Sequence, residues 1–259
     1  MTALSAAELL TRWEQGRTQK PIRRALLLLT AACSEASQDD LANVSIGRRD
    51  RLLLDLREQL FGPRLESAAH CPSCGERLQL TFNVSDIRTE TGETTAESLT
   101  VLLDNYEVCF RLPDSNDQAA IAECENVAYG RRLLLTRCLL KVRHNEEEQS
   151  VDRVPEKVLE AASEQMAQAD PQGDVQLELT CPACSHTWSA AFDIVSYLWQ
   201  EIDSWAQRIL RDIHSLASAY GWREAEILSM SARRRQFYLD MIGALGQQEH
   251  ERLSRQHRG

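Results

Sequence analysis

The chain lacks any apolar run long enough to cross a membrane. Its longest, residues 25–33 with Thr30 inside, falls far short of the ~20 residues that a spanning helix needs. Nothing near the N-terminus resembles a secretory cleavage signal, so a cytoplasmic address is expected. Positive charge is also scarce, with 29 lysines and arginines against 39 acids and a net charge of −10 at pH 7. That balance opposes the counterion release that drives general nucleic-acid binding, so nucleic acid is not the expected partner. No phosphate-binding glycine loop, H-E-x-x-H pair or G-x-S-x-G elbow is present, and the six histidines are scattered. We therefore expect a protein that is not an enzyme.

What is present is the composition of a globular chain. The 259 residues, 43% hydrophobic and 26% charged, suffice for one elaborated domain or two packed ones, and only residues 92–98 read as structureless. Apolar spacing predicts helices over residues 4–14, after Pro21 (apolar side Ile22, Ala25, Leu26, Leu29, Ala32) and over 47–60, the last with a stripe of Leu52, Leu53, Leu56 and Leu60. A strand with Leu78, Leu80, Phe82 and Val84 on one face precedes a polar linker over residues 88–98. Residues 99–103 and 106–112 alternate around Asp104 and Asn105 as a hairpin. Ser115 and Gln118 have capping-box spacing, predicting a helix that closes near Gly130, then another over 133–142 and one from Pro155 to near Pro171. Val175, Leu177 and Leu179 alternate as a strand. Apolar residues from Val195 to Tyr220 at spacings of three and four predict a long helix ended by Gly221, with shorter helices over 224–228 and after Ser231.

Eight cysteines in a chain of this size, without a secretion signal, do not call for disulfides. Four fall into two clusters, Cys71-Pro72-Ser73-Cys74-Gly75 and Cys181-Pro182-Ala183-Cys184-Ser185. A C-x-x-C turn points two thiolates at one ion while backbone amides hydrogen-bond the sulfurs, which suits tetrahedral zinc. Superimposing the pairs also places Leu78 on Trp188, Phe82 on Phe192 and Val84 on Ile194. We read Cys71, Cys74, Cys181 and Cys184 as one structural zinc site uniting the halves of a split ribbon. Iron in the same ligand set, a redox pair, and two separate sites recruiting His70 or His186 are the alternatives. The remaining Cys33, Cys109, Cys124 and Cys138 lie in apolar stretches and read as buried small hydrophobes. The Arg233-Arg234-Arg235 run reads as a solvated helix surface, and Trp199, Trp205 and Tyr220 as core.

The expected fold is α+β. A helical segment spans residues 1–65; a split four-cysteine zinc ribbon with short antiparallel strands spans 66–87 and 174–194. A β-hairpin with helices is inserted over 88–173, and a helical segment covers 195–259.

Several segments together carry a family resemblance. Ile46-Gly47-Arg48-Arg49-Asp50-Arg51-Leu52-Leu53-Leu54 ahead of the first cysteine pair, Phe110-Arg111-Leu112-Pro113 before a helix, the second pair, and Ala219-Tyr220-Gly221-Trp222-Arg223-Glu224-Ala225-Glu226-Ile227-Leu228 resemble the T-even-phage-type baseplate hub assembly chaperones, a family found also in bacterial contractile injection systems. The resemblance, over about residues 20–245, implies a role in building the baseplate hub and spike of a contractile tail-like particle. It implies hub or spike proteins as partners and association with the assembled particle. A zinc-ribbon nucleic-acid-binding or regulatory protein is the rival reading.

Overall fold

The computed structural model describes residues 1–89 and 98–256, with side chains as far as residue 244; much of the linker read at 88–98 therefore lies outside the described residues. Helices and small antiparallel sheets share the chain, an α+β fold. No helix among the described residues is long and apolar enough to cross a membrane. The chain divides into two compact units, residues 1–3 with 20–198 and residues 4–19 with 199–259. Helix α1 (Ala6–Gly16) belongs to the second.

In the first unit, α2 (Pro21–Ala32) buries Leu28 in addition to the expected Ala25, Leu26, Leu29 and Ala32. The short α3 (Gln38–Asn43), not foreseen from the sequence, is opened by a capping box between Ser37 and Asp40. Helix α4 (Ile46–Phe61) departs from its expected leucine stripe. Leu53 and Leu56 are buried and Leu52 and Leu60 only partly, while Arg49 and Arg57 turn inward. Each arginine finds partners: Arg49 pairs with Asp50 at 2.7 Å and donates to Ser115 and Gln118, and Arg57 donates to the Gly62 carbonyl at 2.6 Å. Burial pushes the Asp50 carboxyl up to about 6 despite the adjacent Arg49. Gly47 has no room for a side chain, because a Cβ would lie 2.0 Å from Oδ1 of Asp170, whose Oδ2 accepts the Gly47 N–H at 2.8 Å.

A hairpin follows, β1 (Arg64–His70) with β2 (Arg77–Asn83), then the single turn α5 (Val84–Ile87). Strand β1 was not read from the sequence, since Ser67, Ala68 and Ala69 lack the branched and aromatic side chains that mark strands. The four-stranded sheet comprises β3 (Leu99–Leu103), β4 (Tyr106–Phe110), β5 (Leu139–His144) and β6 (Glu147–Glu148). As expected, Asp104 and Asn105 form the turn between β3 and β4, with φ of 50° and 64°, the positive values of a two-residue hairpin loop.

The single helix expected from Ser115 to near Gly130 is two, α6 (Ser115–Ile121) and α7 (Val127–Cys138), with Gly130 inside the second. The capping residue is Asp114, not Ser115, and its carboxylate accepts the N–H groups of Asn116 and Asp117. Residues 139–142, expected to be helical, instead run as β5, because pairing with β4 outweighs their local helix preference. Helix α8 (Glu156–Ala169) packs Val158, Leu159, Ala162 and Met166 onto the sheet's Val108, Phe110 and Val142. A second hairpin, β7 (Gln176–Thr180) with β8 (Thr187–Ala191), leads into α9 (Ile194–Tyr220).

In the second unit, α1, the greater part of α9, α10 (Glu224–Ser229) and α11 (Ala232–Gln256) carry the core. Trp13 donates to Asp203 at 2.8 Å, and Gly16 lies flush against the Trp199 ring. Trp199 is buried as expected, while Trp205 and Tyr220 are half-buried and Tyr220 stacks on Trp222 at 4.5 Å. The arginine run does not simply fan over the surface: Arg235 is buried and donates to the Met230 carbonyl, leaving Arg233 and Arg234 exposed.

Fully buried Asp117 is the polar centre of the inserted region. Its carboxylate accepts from Arg111 at 2.5 and 3.0 Å, from Arg137 at 2.9 Å and from the Asp114 N–H at 3.1 Å. Burial alone would raise this carboxyl, but the bonds from Arg111, Asp114 and Arg137 outweigh it and hold the group below its ordinary value. Asp117→Ala should therefore lower stability by about 3 kcal/mol in urea unfolding, the low end for a broken buried pair because both arginines reach solvent. A depressed carboxyl contributes fully above its unfolded value of about 4 and less as pH falls below it, so the gap between wild type and variant should shrink in acid.

Candidate metal centre

The knuckle of each hairpin is built from the same backbone bonds. The Cys71 N–H donates to the Glu76 carbonyl and the Gly75 N–H to the Cys71 carbonyl, each at 2.9 Å. In the second hairpin the Cys181 N–H donates to the His186 carbonyl and the Ser185 N–H to the Cys181 carbonyl, again at 2.9 Å. The fifth residue of each cluster turns left-handed, Gly75 at φ 77° and Ser185 at φ 58°. The likeness continues beyond the strands, where Asn83 and Asp193 stand at equivalent positions before α5 and α9. The Asn83 N–H donates to Asp86, and Asp193 accepts from the Val195 N–H and the Ser196 hydroxyl.

The two knuckles face each other. Sγ of Cys71 lies 3.7 Å from Sγ of Cys184, and Sγ of Cys74 lies 3.6 Å from Sγ of Cys181. Exchanging the hairpins turns one of these pairs into the other, so the halves are related by an approximate two-fold. The equivalent Phe82 and Phe192 meet edge to face at 5.7 Å, as equivalent residues beside such an axis do. Cys71 and Cys181 are buried with Leu78, against Leu80 and Trp188, whereas Cys74 and Cys184 reach the surface.

All four sulfurs lie within 4.8 Å of one another, so this cluster can hold a metal ion. The distances are far beyond the ~2.05 Å of a disulfide. The two facing pairs, at 3.6 and 3.7 Å, match the separation of about 3.8 Å between thiolates bound at ~2.3 Å around a tetrahedral ion. Burial would push the Cys71 thiol up, but the N–H groups of Cys74 and Ser73 and the neighbouring thiols bring it down to about 7. At Cys74 the Glu76 backbone pulls downward, yet hydrogen bonds with Cys184, Cys181 and Cys71 drive it up to about 12. Four thiols this close share protons, and deprotonating all of them requires a cation among them.

The two histidines weighed as extra ligands stand outside the cluster. His186 is exposed and stacks over Trp188 at 6.1 Å, and His70 is exposed on β1. Of the other cysteines, Cys138 alone is fully buried, its thiol pushed up to about 12 by burial and by Asp117; Cys33, Cys109 and Cys124 are half-buried. Sequence reasoning did not single out Tyr197, whose hydroxyl meets both backbone groups of Glu66, or Arg49 and Asp117. For Tyr197 the signal available was its place directly after the second repeat.

The left-handed residue gives a test of the knuckle geometry. Ser185→Gly should raise stability by about 0.5–1 kcal/mol, since a side chain at positive φ is strained, and Gly75→Ala should lower it by about 1 kcal/mol. Urea midpoints of the two variants in one buffer should move in opposite directions.

No curated protein and no solved structure matches the chain. A family model described as T4 bacteriophage base plate protein matches residues 3–199, a stretch that holds both hairpins and all four cysteines. The chain belongs to the T4 bacteriophage base plate protein family.

Proposed function

We propose that the chain is a zinc-stabilised, non-catalytic component in the assembly of the baseplate hub or spike of a contractile tail-like particle, acting as an assembly chaperone or minor baseplate subunit. Membership of the base plate family is the observation that carries the role. The converging sulfurs explain how the chain holds the shape that role requires.

In this reading Cys71, Cys74, Cys181 and Cys184 bind one Zn²⁺ and complete a split zinc ribbon. Four thiolates saturate a tetrahedral ion and leave no position for water or substrate, which is the pattern of structural rather than catalytic zinc. The ion neutralises thiolates that otherwise retain protons, and binding of this kind contributes on the order of 10–16 kcal/mol in small peptides. That is comparable with the stability of a whole domain. Iron suits the same sulfur set, and metal analysis separates the two.

Two measurements test the two halves of the proposal. Purified protein should hold one zinc per chain, and Cys71→Ala should lose it and become insoluble or partly unfolded; wild-type solubility with retained metal would overturn the closed site. Affinity purification from cells assembling particles should recover hub or spike proteins. Recovery of none, with normal particles formed without this gene, would overturn the assembly role.

A further inference from the structure

The two-fold between the hairpins breaks down along their sides. In the first hairpin the bonds from Cys71 N–H to the Glu76 carbonyl and from Val84 N–H to the Pro63 carbonyl fix which groups of β1 face β2. Those of Glu66 face the other way, off the strand's free edge. Tyr197, in the first turn of α9, closes that edge: its hydroxyl accepts the Glu66 N–H and donates to the Glu66 carbonyl, both at 3.0 Å.

The second hairpin has the same ladder, from Cys181 N–H to the His186 carbonyl and from Phe192 N–H to the Val175 carbonyl. It turns the N–H and C=O of Gln176 and Glu178 off the free edge of β7. In the repeat Gln176 stands where Glu66 stands, and Ile87 where Tyr197 stands. Isoleucine has no hydroxyl, and no protein group among the described residues bonds those backbone atoms of Gln176 and Glu178. An open groove of about 440 Å³ remains between β2 and β7. Leu80, Phe82, Ile87, Leu177 and Leu179 line it together with the acidic residues Asp86 and Glu178, and its lining residues include no lysine or arginine.

We propose that this groove docks an extended, positively charged segment of a partner protein, which adds a strand to the free edge of β7 and seats a tyrosine against Ile87 and Leu177. The free N–H and C=O groups supply the pairing that strand addition uses, and the apolar lining supplies a pocket for alternate side chains. The two acidic lining residues favour a basic segment, and they disfavour a second copy of this chain, which carries a net charge of −10. The opposite side of the same molecule supplies the template, since there a tyrosine hydroxyl bridges the equivalent N–H and C=O. The source of the segment as a hub or spike protein rests on the proposed assembly role; the groove and its chemistry do not.

The test uses the full metal-loaded chain and a fluorescein-labelled octapeptide, Lys-Tyr-Lys-Val-Lys-Tyr-Lys-Val, whose apolar and basic side chains alternate as those of β7 do, followed by fluorescence anisotropy. Saturable, salt-sensitive binding is expected, and N-methylation of one alternating set of peptide amides should weaken it about tenfold while the other set has little effect. Ile87→Tyr, which copies the closed side, should also weaken binding about tenfold with unchanged zinc content in the folded variant. If that variant misfolds, Glu178→Pro serves instead, because the lost N–H points away from β8 and costs no ladder bond. Glu178→Lys should shift preference to the same peptide with glutamate in place of lysine. Wild-type binding by the folded Ile87→Tyr or Glu178→Pro variant, equal binding of the glutamate peptide to the wild type, or a self-dimer abolished by Ile87→Tyr would each overturn the proposal. Peptide binding without recovery of baseplate proteins would overturn the assembly role and leave the groove standing.

Discussion

Two sulfur pairs, at 3.6 and 3.7 Å, hold together hairpins that the sequence places far apart. Everything from β3 to α8 leaves and returns between them, so this meeting point closes the loop that carries the inserted sheet and its helices. Charge makes the constraint strict. Thiolates at such separations repel, and the arrangement is favourable only with protons shared among the sulfurs or with a cation among them.

Around this centre the two hairpins obey one rule and differ in one respect. Knuckle bonds, the left-handed fifth residue and the strand register all repeat. After the strands the halves diverge: α5 stops after one turn, whereas α9 continues for 27 residues. Within the first turn of each, at equivalent positions, Tyr197 covers one free strand edge and Ile87 stands beside the other. A closed flank and an open flank thus arise from a single change of side chain at equivalent positions.

Buried charge organises the rest of the first unit. Arg49 reaches Ser115 and Gln118, Asp170 caps the close approach at Gly47, and Asp117 gathers Arg111 and Arg137. The first two sets of contacts join α4, ahead of the first knuckle, to the inserted region, and the third ties the inserted region to itself. They also give a physical reason for the Gly47-Arg48-Arg49-Asp50 stretch, since any side chain at Gly47 would collide with Asp170.

Much of this molecule was legible in its residues. Periodicity located α1, α2, α4 and α9, flanking prolines located α8, the pair Asp104 and Asn105 located a hairpin turn because both tolerate positive φ, and cysteine spacing with the flanking apolar residues named the two related knuckles. Family-like segments pointed to the base plate family before any fold was known. Tertiary pairing decided the remainder. Residues 139–142 became a strand because β4 offered a partner, β1 formed from an alanine-rich stretch because β2 did, and arginines replaced leucines on the inner face of α4 because acceptors were waiting there. Local sequence encodes local preference, but which sulfurs meet, which charges are buried and which strand edge stays open depend on groups distant in the chain, and only folding brings those together.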